Sequence, residues 1–147
     1  MGVTAHRLSK AEQRKREEAR KRNVQRVSEL TNGNRFTPLR HDLVNSPEFK
    51  QLSGSAVKAF CYIMGQFNGR NNGEIIAPKS LSLELMGLTR PTFVKAINEL
   101  IRCDFIEIVE LSTKHSPTYF GLTCFPIIGE SRPKDTWKKT KKGGAND

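Results

Sequence analysis

Side chains able to do covalent or acid–base chemistry are few in this 147-residue chain, and their spacing assembles no reactive set. His6, His41 and His115 lie far apart, and none belongs to an H-E-x-x-H zinc helix. Cys61, Cys103 and Cys124 form no C-x-x-C pair, so neither a zinc site nor a disulfide framework is expected. A G-x-S-x-G elbow and a Walker glycine loop are both missing. Glu84, Glu99, Glu107 and Glu110 are accounted for by helix and strand surfaces. No enzyme, metal or cofactor is expected. What the composition favours instead is ion pairing with a polyanion, because 25 Lys and Arg against 15 Asp and Glu leave a net charge of +10.

That excess lies mainly in the ends. Residues 1–36 carry a net +6, residues 37–126 only +1, and residues 127–147 a further +3. In "RKREEARKR", Arg14, Lys15, Arg16, Arg20, Lys21 and Arg22 would each release counterions near a phosphate, giving affinity without sequence preference. Lys138, Lys139, Lys141 and Lys142 would add to it, and Trp137 among them would either stack on a base or dock on the domain. The expected organisation is a basic arm over 1–35, a folded unit over 36–126 and a basic tail over 127–147. The start lacks an apolar signal core, and the longest apolar run, "AFCYIM", is far too short for a bilayer. A cytoplasmic protein without membrane contact is expected.

The elements that must position these charges follow from periodicity. Ser9 and Glu12 make a capping box opening "SKAEQRKREEARKRNVQRVSEL", whose sparse apolar residues leave the arm helical or disordered. "TNGNRFTPLR" breaks the pattern. Ser46 and Pro47 start a short helix ending near Leu52. Ser53 caps "SGSAVKAFCYIMGQF", with Val57, Phe60, Cys61, Met64 and Phe67 on the buried face, which makes Cys61 a core residue. In "FNGRNNGEI", Gly69 is expected to end that helix and Asn72-Gly73 to turn the chain, so the asparagines serve the turn while Arg70 stays free to touch a phosphate.

A strand over "GEIIAP" should follow, ended by Pro78. Pro78 also opens a short helix with Leu81 and Leu85 four apart, stopped by Gly87. Thr89 caps "TRPTFVKAINELIR", where Phe93, Val94, Ile97, Leu100 and Ile101 give the strongest helical period in the chain. Only Gly87 and Leu88 separate these helices, so they should cross steeply as a helix-turn-helix. "FIEIVELS" and "TYFGLT" then alternate as strands around the polar tip "TKHSP". The fold class expected is α+β, mainly α: a winged helix-turn-helix with three core helices and a small antiparallel sheet.

Residues from about 36 to 125 resemble the winged helix-turn-helix domains of phage, prophage and plasmid proteins, some replication-initiator-like and some regulators. The resemblance rests on "SPEFKQLSGSAVK", "FNGRNNGEI", "LTRPTFVKAINELIRCDFIEI" and "SPTYFGLT". It departs at Asp104, where such domains usually have glycine between recognition helix and wing. Aspartate enters left-handed conformations readily enough to keep the turn. The basic arm is not explained by the resemblance.

In a helix-turn-helix the second helix enters the major groove of duplex DNA, and its early exposed residues meet base edges. With Ile97 at the centre of the buried face, Thr92, Lys95, Glu99 and Arg102 point the other way, flanked by Pro91 and Asn98. Arg90 or Lys95 would bond guanine, Asn98 adenine, and Thr92 a base or phosphate. Glu99 would repel phosphate if aimed at the backbone. Lys114 and His115 at the wing tip would approach adjacent phosphates or the minor groove. A transcriptional regulator of a phage or mobile element is the leading expectation. Its rivals are a replication or recombination accessory factor with little sequence preference, and a winged helix for protein contacts whose arm folds on RNA or an acidic partner.

Overall fold

The computed structural model describes residues 7–139 and is α+β, mainly helical. The chain divides after Phe36 into two units.

The first unit is one helix, α1 (Lys10–Leu30). Its capping box forms: the Glu12 N–H donates to Ser9 Oγ at 3.2 Å and the Ser9 N–H to Glu12 Oε2 at 2.8 Å. Asn32 and Gly33, both at positive φ, end it. No α1 residue is buried, as its sparse apolar positions dictate.

The second unit holds α2 (His41–Val44), α3 (Pro47–Lys50), α4 (Gly54–Gln66), a 3-10 turn (Lys79–Leu81) running into α5 (Ser82–Met86), α6 (Arg90–Arg102), β1 (Ile106–Glu110) and β2 (Tyr119–Leu122). Helix α4 buries Ala56, Ala59, Phe60, Ile63 and Met64. This stripe sits one residue before the expected one, and Cys61 is exposed rather than buried. Nor does Gly69 close α4. Phe67 leaves the helix in an extended conformation, and Asn71 Nδ2 donates to the orphaned Gln66 carbonyl at 2.7 Å. The α5 face is also rotated from expectation. The preceding 3-10 turn shifts its phase, so Ser82 and Met86 go inward while Leu81, Leu83 and Leu85 are exposed.

Gly87 ends α5 at φ 68°, and Leu88 N–H donates to the Ser82 carbonyl at 3.2 Å, closing the helix end as a left-handed cap. Helix α6 buries Phe93, Ala96, Ile97 and Leu100, with Val94 and Ile101 packed at its margins. Asp104 at φ 61° turns the chain into β1. The strands pair antiparallel, with Ile106 opposite Leu122 and Ile108 opposite Phe120, and a bulge at Val109. The strand expected over "GEIIAP" shrinks to a single bridge, Ile75 to Phe120, because the turn at Gly73 and Pro78 leave little chain between them.

The core extends beyond the expected boundary at residue 126. Phe49, Phe60 and Phe105 meet edge to face with centroids 5.9 to 6.2 Å apart, and Trp137 stacks on Phe105 at 5.9 Å. Only 1% of Trp137 is exposed. Residues 127–139 are therefore a strap on the domain, not a detached tail. A large aromatic ring buries more apolar area than its lysine neighbours cost in lost freedom.

Candidate nucleic-acid interface

Helix α6 is held by its ends and its inner face, which leaves its outer face unencumbered. Pro91 at the second helical position fixes the first turn. Thr89 Oγ1 does not cap the backbone; it donates to Thr92 Oγ1 at 2.9 Å, so Thr92 is half-buried and partnered. Glu99 points away from the expected surface. Its Oε2 accepts from the Ser53 N–H at 2.9 Å and from Ser53 Oγ at 3.0 Å, joining α6 to the start of α4. The carboxylate expected to repel phosphate is thus spent on an internal bond.

Arg90, Pro91, Lys95, Asn98 and Arg102 are exposed. Among the described residues, Arg90, Lys95, Asn98 and Arg102 have no hydrogen-bond or ion-pair partner. Lys95, Asn98 and Arg102 share one side of the helix, with Arg90 at its first position. The set offers two guanidinium forks, an ammonium and a carboxamide. Those groups match the acceptors of guanine and the donor-acceptor pair of adenine.

The hairpin tip is organised by its own hydroxyls. Thr113 Oγ1 accepts from the His115 and Ser116 N–H groups at 3.2 and 3.1 Å, and the Thr113 N–H donates to the Ser116 carbonyl at 2.9 Å. Lys114 and His115 stand exposed on this fixed turn. In "FNGRNNGEI", Asn68 Oδ1 accepts from the Arg70 and Asn71 N–H groups at 2.9 and 3.1 Å, leaving the Arg70 side chain exposed. Asn72 is buried. It accepts from the Leu122 N–H at 2.6 Å and donates to the carbonyls of Leu122, Phe125 and Pro126 within 3.1 Å. These asparagines build the corner.

In the first unit Arg14, Lys15, Arg16, Arg20, Lys21 and Arg22 are all exposed on α1, with Lys21 3.5 Å from Glu17. Lys138 and Lys139, expected at a polyanion site, are used elsewhere, and Trp137 takes the docking alternative. Trp137 is in the core, Lys138 pairs with Asp42 at 3.1 Å, and Lys139 pairs with Asp104. Lys141 and Lys142 lie outside the described residues.

Strap and domain meet through a second cluster, which sequence reading missed. Arg40 bonds Asp42 at 2.6 Å, Asp135 at 2.7 Å and the Cys124 carbonyl at 2.7 Å, and its guanidinium lies 5.9 Å from the Trp137 ring. Arg40, and secondarily Lys138, hold the Asp42 carboxyl well below the ordinary carboxylate range; Asp42, then Asp135, raise the arginine. Burial pushes the Cys124 thiol up to about 12, which leaves it protonated and unreactive. Lys134, 2.7 Å from Glu107, is raised by that bond. No local motif announces these contacts, since Arg40 and Asp135 are 95 residues apart.

Among the described residues, no group of three His, Cys, Asp or Glu could hold a metal, and no helix is long and apolar enough to cross a membrane. The chain matches no protein family, no curated protein and no solved structure.

Proposed function

We propose that residues 37–139 act as a winged helix-turn-helix that binds duplex DNA, with α6 in the major groove and the 106–122 hairpin as wing. The carrying observation is how charge is distributed over a domain whose net charge is only +3. Asp42, Asp104, Glu107, Glu130 and Asp135 are paired with Arg40, Lys134, Lys138 and Lys139, and Glu99 is bonded to Ser53. Arg90, Lys95 and Arg102 keep their charge for a ligand. A domain of small net charge can thus be basic where it binds.

On this reading the protein is a binding protein and not an enzyme. Its role is transcriptional regulation of phage or mobile-element type, with Arg90, Lys95 and Asn98 reading bases. Arg102, Lys114, His115 and Arg70 would approach the backbone, and α1 would add sequence-independent affinity. Selection from a randomised duplex library tests it. The intact protein should enrich a motif that the Arg90→Ala/Lys95→Ala variant loses and a variant lacking residues 1–30 keeps at weaker affinity. Binding without any motif, abolished only by removing residues 1–30, would favour the accessory-factor role.

One observation favours a protein-contact role instead. Leu81 in the 3-10 turn and Leu83 and Leu85 on α5 are 44%, 67% and 42% exposed, more apolar surface than a helix flanking DNA requires. Recovery of the protein with a bound partner and no nucleic acid would favour that role.

A further inference from the structure

Lys58 is not among the residues assigned to the interface above. It sits on the outward side of α4, exposed, with Ala59 and Phe60 beside it in the core. Its side chain reaches across to the turn between α5 and α6. The ammonium is 2.8 Å, and Cε 3.5 Å, from the position a β-carbon would occupy on Gly87. Glycine leaves that space open and adopts φ 68° without strain.

Having reached the turn, the ammonium makes no bond. Among the described residues Lys58 has no hydrogen-bond or ion-pair partner, and neither does Glu84, the acidic residue of α5. Three donors therefore stand unused over a turn that lies three residues before Arg90. A lysine serving only to neutralise the end of α5 would be expected to donate to one of its last carbonyls. Here none is engaged.

In helix-turn-helix complexes the helix before the recognition helix crosses the DNA backbone. A phosphate at that crossing would face the α5–α6 turn. We propose that Lys58 contacts a backbone phosphate there, giving the interface a further element, α4, beside α6, the hairpin and the Arg70 corner. This rests on the duplex-binding reading and deepens it, since a compact point charge positions the protein without selecting sequence.

The test is a salt titration of the full chain on a short duplex of mixed sequence. It compares wild type with Lys58→Gln, Lys58→Arg and, as an equal loss of charge on α3, Lys50→Gln. The magnitude of the slope of log affinity against log salt should fall by about 0.9 in Lys58→Gln. Arginine should restore it, and Lys50→Gln should leave it alone. The motif chosen from a randomised library should not change.

An unchanged slope in Lys58→Gln, while wild type binds, would overturn the inference and leave the duplex reading standing. An unchanged slope with a lower melting temperature would also overturn it, making Lys58 a support of the turn. A changed motif would make it a base reader and overturn the phosphate assignment. If wild type fails to bind duplex at all, the parent reading falls and this inference falls with it.

Discussion

At the corner where α2 meets the strap, and along the strap, four cations have anions: Arg40 and Lys138 share Asp42 and Asp135, Lys134 bridges Glu107 and Glu130, and Lys139 meets Asp104. On the outer face of α6, Arg90, Lys95 and Arg102 have none among the described residues. The residue types are the same and the work is different. Partnered charges over a buried ring secure the strap, whereas unpartnered charges on a rigid helix are available to something outside. Counting charges along the chain merges the two; only their partners separate them.

The sharpest way to break the comparison is to empty the corner. Trp137→Ala should cost roughly 3–5 kcal/mol in unfolding free energy measured with denaturant, because it removes the ring stacked on Phe105. The duplex motif should survive wherever the variant remains folded. The reverse lesion, Arg90→Ala/Lys95→Ala, should change unfolding by no more than about 0.5 kcal/mol, since both residues are exposed. It should weaken binding to the selected motif by roughly 2 kcal/mol or more. A double variant that unfolds, or a Trp137 variant that melts normally, would erase the distinction.

Acid probes the corner more gently. The Asp42 carboxyl is depressed, so its contribution is full above the ordinary carboxylate value of about 4 and is lost as pH falls toward the depressed one. Asp42→Asn should therefore show a shallower loss of stability than wild type below about pH 4. The carboxylate side chain is 45% exposed, so solvent screening keeps the effect to about 1 kcal/mol or less. A Lys95→Ala control should track wild type through the same acid range. Ser82→Ala is the smallest change. Ser82 Oγ is buried without a partner, and the substitution should raise stability by up to about 1 kcal/mol in thermal melts.

Helix α6 was the most legible element. Thirteen residues with Phe93, Ile97 and Leu100 in phase leave one way to face the core, and Arg90, Lys95, Asn98 and Arg102 follow as the outer side. The capping box of α1, the Gly87 stop and the left-handed Asp104 were legible for local reasons. Helix α4 was misphased by one residue because Val57 and Cys61 are as apolar as Ala56 and Ala59, and composition alone does not choose between adjacent stripes. The α5 leucines misled because a 3-10 turn precedes them and resets the rotation. Contacts between distant residues left no periodic trace. Glu99 with Ser53, Asn72 with Leu122 and Arg40 with Asp135 are long-range bonds, and one tryptophan among lysines gives no pattern from which burial can be read.

The strap gives the chain a clock. Phe105 is made 32 residues before the Trp137 that covers it. At about 5–20 residues per second, synthesis reaches Trp137 roughly 2–6 s after Phe105. The aromatic cluster of Phe49, Phe60 and Phe105 is therefore completed by a segment made after all three of its rings.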